Sequence, residues 1–177
     1  MRIGIVLGLA TGLLLAGCDA AGQPAPSTTT VPGGTPAGTS APAATPARTP
    51  PVTVDAPCPY ADAAAVMDIV GQHVARTTVT KTTPHPGCSF YRPNAEKAAE
   101  ISVSVLPSAT AAQTEAIRLT GPTANPVASV GDGGTVAITA DGALLAVSKG
   151  PALVVVRINQ RISLEAVELA KLVVAKL

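Results

Sequence analysis

The chain has 177 residues, and 12 Lys+Arg stand against 11 Asp+Glu for a formal net charge of +1. That near-balance leaves no electrostatic footprint for nucleic acid or for an anionic membrane surface. One Phe, two Tyr and no Trp are too few for a base-stacking platform or an aromatic sugar site.

Met1-Arg2 forms a minimal positive start, followed by an uncharged, mostly apolar run from Ile3 to Leu15. A membrane-spanning helix needs about 20 apolar residues. This run is shorter and has the length of a signal-peptide core. Leu15-Ala16-Gly17-Cys18 follows it and resembles the bacterial lipobox. The resemblance implies a signal peptide over 1–17, cleavage before Cys18 and a diacylglyceryl group on the Cys18 thiol. It places the protein at the extracytoplasmic face of the cell membrane, held there by its N-terminal lipid. There is no twin-Arg pair, so the general secretory route is expected. Two or more acyl chains, palmitate among them, anchor stably where one would not.

After the lipidated Cys18, residues 19–56 read as a tether, so that 18–56 form one segment. The stretch holds eight Pro, eight Thr, nine Ala and four Gly, with Asp19, Arg48 and Asp55 as its charges. Such a composition buries too little surface to offset chain entropy, and its prolines favour extended structure. It is also similar to the O-mannosylated linkers of actinobacterial lipoproteins.

Residues 57–177 are expected to form a single domain, long enough for a modest core. Once Cys18 carries lipid, Cys58 and Cys88 are the remaining cysteines. In an exported protein they are expected to form a disulfide. A metal site is disfavoured: there is no C-x-x-C, and His73 and His85 are the only imidazoles. The 62–72 stretch carries Ala65, Val66, Ile69 and Val70 at helical spacing, with Gly71 weakening its end. Strands are expected at 76–81 (RTTVTK, an edge candidate), 88–92 (CSFYR) and 100–106 (EISVSVL), the last alternating strictly. Ser108 is a cap candidate for an Ala-rich helix running to about Leu119, stopped by Gly121-Pro122.

Two more strands, 135–139 and 143–148, flank the hairpin signal Asp141-Gly142. After the Gly150-Pro151 turn, 152–158 (ALVVVRI) is apolar on both faces and reads as a central strand. Ser163 is a cap candidate for a last helix with Ala166, Leu169, Ala170, Val173, Val174 and Leu177 along one side. Glu168 and Lys171 sit close enough on it for an i,i+3 pair. The order helix, three strands, helix, three strands, helix predicts an α+β two-layer sandwich: an antiparallel sheet of about six strands under about three helices.

Cys58-Pro59 before a helix, Cys88 in an aromatic strand, Val130-Gly131-Asp132-Gly133-Gly134, and the string LLAVSKGPALVVVRI together resemble small actinobacterial, mycobacterial-type exported lipoproteins. These carry C-terminal α/β sandwich domains of unknown function. The resemblance implies no reaction and no catalytic residue.

The candidate chemical groups have bland readings. His85, in Pro84-His85-Pro86-Gly87, reads as a solvated turn, and His73 as a cation at a helix end. Asp132 reads as a turn carboxylate bonding its own backbone. Ser148 and Lys149 are adjacent on a strand and point to opposite faces, so they form no dyad. Ser102 and Ser104 read as solvated surface or helix contact. Tyr91, Arg92, Arg157, Asn159, Gln160 and Arg161 cluster at strand ends and form the best candidate binding patch. Phosphate loops, HExxH, GxSxG and a carboxylate pair are missing from the sequence. The expectation is therefore a membrane-anchored, non-enzymatic binding or interaction module of the cell envelope, without cofactor, metal or nucleic acid. Its partner would be an envelope protein. The alternative is a carrier that holds a lipid or small apolar ligand between helices and sheet.

Overall fold

The computed structural model describes residues 50–177. The expected signal peptide, Cys18 and the tether as far as Thr49 lie outside them. The tether was expected to run to Ala56, yet Val52–Asp55 forms an edge strand, β1. Helix α1 (Ala63–Val70) starts at Asp62, whose carboxylate accepts from the Ala65 amide at 2.7 Å. It stops at Gly71, whose left-handed backbone (φ 60°) returns its N–H to Met67 O. Three strands follow: β2 (Arg76–Lys81), β3 (Gly87–Tyr91) and β4 (Lys97–Val105). Helix α2 (Ala109–Thr120) is capped by Ser108, as its sequence predicts, with Oγ accepting from Ala111 N at 3.1 Å.

Next come β5 (Asn125–Val127), β6 (Gly133–Thr139), β7 (Gly142–Lys149) and β8 (Ala152–Ile158). Helix α3 (Ser163–Val174) ends the chain's regular structure. Ser163 is not its cap. Ile162 holds that position without a side-chain bond, and Ser163 is already the first helical residue, past the place from which a hydroxyl reaches the free amides. Glu168 and Lys171 form the i,i+3 ion pair at 2.7 Å.

All eight strands make one antiparallel sheet in the order β1-β2-β3-β4-β8-β7-β6-β5. It consists of two four-stranded meanders joined where β4 meets β8. This corrects the expected two-layer sandwich of about six strands. The additional strands are β1 and β5, both short and both at an edge. The layer count changes as well, because the helices lie on both faces.

The reason is visible in the cross-strand rows. One row, Val54, Val79, Cys88, Ile101, Val156, Leu145 and Val136, is apolar from β1 to β6. Helices α1 and α3 close over that face with Val66, Val70, Leu169 and Val173. The next row on the other face runs Thr78, Ser89, Glu100, Arg157, Leu144 and Ala137, polar to β8 and apolar beyond it. Strands β7 and β8 therefore need cover on both sides. Helix α2 supplies it on the second face, packing Ala112 and Ala116 on Ala146 and Leu153. Two alanines four residues apart let the helix approach the sheet closely. Its C-terminal end is fixed by Thr120 Oγ1 and Thr135 Oγ1, 2.6 Å apart.

Candidate functional site

Because α2 follows the apolar half of its face, the β2–β4 half stays open. The side chains open there are Thr80, Ser89, Glu100, Ser102 and Ser104, the alternate residues whose neighbours build the core on the other face; Thr78 shares the face but is buried. The β2–β3 loop rises beside them and makes a wall. Its turn is closed by Thr82 Oγ1 donating to His85 O, with a cis bond before Pro84. Between wall and sheet lies an open cleft of about 480 Å3, lined among others by Thr80, Pro84, His85, Ser89, Glu100, Ser102, Ser104 and Val105. That volume lies within the range of about 300–1,000 Å3 typical of small-ligand sites.

Glu100 supplies the cleft's one carboxylate, and its Oε1 accepts from Lys97 Nζ at 2.8 Å. Arg157 is its direct cross-strand neighbour on β8. Among the described residues no carboxylate lies within 4 Å of the Arg157 guanidinium. Arg157 instead borders three smaller depressions. One of about 290 Å3, which it shares with Glu100, Ser102, Leu119 and Val155, runs up to the flank of α2.

The candidate patch of the sequence is partly assembled. Tyr91 ends β3 opposite Lys97, Arg92 follows it, and Asn159 N donates to Ala98 O, so strand ends from β3, β4 and β8 do meet. Most of the side chains are taken up internally. Tyr91 lies under the Arg76 guanidinium, 4.5 Å from its ring centre. Arg92 binds Glu96 at 2.8 Å across the β3–β4 turn. Asn159 Oδ1 accepts from Gln72 Nε2 at 2.8 Å, and Gln160 Nε2 donates to Val70 O at the end of α1. Arg161 is exposed beyond β8; Arg157 and Asn159 border the smaller depressions, and no member of the patch lines the main cleft.

The other candidates have structural partners. Cys58 and Cys88 are joined in a disulfide. Asp132 does not bond its own turn: its Oδ2 accepts from Gly150 N, so it clamps the β7–β8 turn. Ser148 is fully buried, and Lys149 donates to Val174 O at the end of α3. His73 is exposed past α1, and Gly71 rather than His73 ends that helix.

His85 and the Ser102–Ser104 pair had bland readings, yet they line the largest of these clefts. The signal was present as alternation. In EISVSVL the polar members Glu100, Ser102 and Ser104 share one face, and Thr78 and Thr80 of RTTVTK fall on that same face of the sheet.

The family model for a domain of unknown function, DUF2020, matches residues 40–177, and the chain belongs to this family. No curated protein matches it.

Proposed function

We propose that this DUF2020 chain is a membrane-tethered, non-enzymatic binding module of the cell envelope, and that the open β2–β4 half of its sheet is the binding face. The observation that carries the reading is the cleft on that face. A sheet covered on both sides for half its width presents, on the other half, a walled and hydroxyl-lined surface of ligand-site size. The Leu15-Ala16-Gly17-Cys18 string supports lipid attachment at Cys18. The Cys58–Cys88 bridge supports an oxidising compartment outside the cytoplasm. In the carrier reading an apolar ligand would lie between helices and sheet. That layer is filled by Phe90, Ile101, Leu145 and Leu169, and the carrier takes second place.

Two measurements test the proposal. In a bacterial host the parent chain partitions into the detergent phase, and Cys18→Ala stays unprocessed. A Cys18→Ala chain that matures and partitions like the parent overturns the anchor. A photo-crosslinker placed at Ser102 in intact cells yields an adduct, whereas one at Gln113, on the exposed side of α2, does not. Equal labelling from both positions, or none from Ser102, overturns the binding face.

A further inference from the structure

We infer that the β2–β4 cleft takes a neutral, polyhydroxylated chain: a segment of glycan. The inference rests on the reading of that face as the binding face and names its ligand class.

Three features of the lining point there. The first is the kind of polar group. Among the described residues, the hydroxyls of Ser89, Ser102 and Ser104 have no protein partner, and Thr80 bonds only its neighbour Thr53, at 2.9 Å. A hydroxyl donates or accepts by rotation. Sugar hydroxyls do the same, so the two sets pair in any register. A peptide backbone has fixed polarity and is paired best at a strand edge, not over a sheet face.

The second feature is charge. Glu100 is offset by Lys97 at 2.8 Å. In the cleft proper, a charged ligand of either sign therefore meets only a neutralised ion pair, and the lining matches a ligand without net charge. Arg157, without a carboxylate within 4 Å among the described residues, stands outside it in the depression beyond Glu100, where its guanidinium offers donors to hydroxyl oxygens.

The third is shape. The cleft is open, and it continues past Glu100 and Ser102 into the depression beside Leu119 and Val155. A trough that leads out of the cleft suits a chain of several sugars better than one enclosed molecule. Successive same-face residues on β4 stand about 6.7 Å apart, so Ser102 and Ser104 contact different parts of such a chain. Pro84 and Val105 line the cleft as well and offer C–H surface where other sugar sites use aromatic rings. Without a ring the affinity per sugar is low, which again calls for several sugars at once.

The test uses residues 40–177, the family-matched region. It contains every strand and helix of the described residues, the disulfide and their core. Maltohexaose, mannohexaose and chitohexaose are titrated at millimolar concentration while backbone amide shifts are followed by NMR. The expected result is that at least one moves amides of residues 80–89 and 100–105. The double variant Ser102→Val/Ser104→Val keeps its melting temperature, because β-branched residues suit a strand. It binds roughly tenfold more weakly, as the loss of two hydroxyl contacts requires.

The inference is overturned if none of the three sugars shifts those amides. It is equally overturned if the double variant, still folded, binds unchanged. A neutral Ala-Thr-Pro peptide that moves the same amides where the sugars do not also overturns the ligand class, yet leaves the binding face standing. Failure of the face itself is read separately, from the Ser102 and Gln113 crosslinks.

Discussion

Glu165 lies in the first turn of α3, where the helix dipole favours a carboxylate. Burial outweighs that preference and holds its carboxyl above the ordinary glutamate value, and Oε2 is buried without a hydrogen-bond partner. A raised value in the fold means that the native state binds the proton more tightly than the unfolded chain does. The resulting stabilisation is complete below the unfolded value and is lost as pH rises through the folded one. Glu165→Gln should therefore melt higher than the parent at pH 7, and the gap should close near pH 3, about a unit below the ordinary glutamate value. Thermal melts across that range check it. A constant gap would assign the effect to packing instead.

Gly142 obeys a different constraint. Its φ is 137°, and a methyl group there would collide with the Ile158 carbonyl on β8. The residue reads as half of a turn signal, and the structure makes it the first residue of β7, directly after the turn and opposite Thr139. Gly142→Ala should lower stability by roughly 3 kcal/mol through backbone strain and overpacking, measurable by urea unfolding.

At the scale of elements, α2 is the one whose placement shapes the site. Its twelve residues are stabilised more by docking than by their own propensity, and Ser108 satisfies a free amide at the start. Ser108→Ala should cost about 1 kcal/mol. The loss should appear as faster hydrogen exchange in α2 while α3 stays protected.

That α2 exists was legible from Ser108, the Ala-rich run and Gly121-Pro122. Which face it covers was not, because Ala112 and Ala116 suit any apolar surface. The answer depends on Ala146 and Leu153, two strands and a helix later in the chain. Strands β1 and β5 were illegible for a related reason. Val52–Asp55 ends a Pro- and Thr-rich stretch, and β5 holds Pro126 in only three residues. Each is fixed by pairing with a longer neighbour rather than by its own pattern. The core strands alternate or are apolar throughout, and there the sequence reading of type and order stands. The candidate patch was chosen for its charges and aromatic ring. Tyr91, Arg92 and Asn159 are bound internally, whereas the cleft is lined by serines and threonines whose face only the sheet register assigns.

At the scale of the whole molecule, the one covalent tie between distant segments among the described residues is the Cys58–Cys88 bridge. It joins the approach to α1 with β3 across a separation of 30 residues. Cys88 is buried in the row that includes Val79 and Ile101, and Cys58 packs in the same core cluster. Helix α1 has eight residues, too few to persist alone. Val66 and Val70 are its only fully buried side chains, so the bridge carries much of its attachment. Closing a loop of this length stabilises a fold by roughly 3–4 kcal/mol in the chain-entropy model, against a total of about 5–15 kcal/mol for a domain of this kind. Reduction should leave residues 40–177 folded but lower the melting temperature by on the order of 10–20 °C. Hydrogen exchange should then show α1 opening before the β4–β8 centre of the sheet. Thiol titration confirms that the bridge is open. An unchanged melting temperature after confirmed reduction would show that packing of Val66 and Val70 alone holds α1 in place.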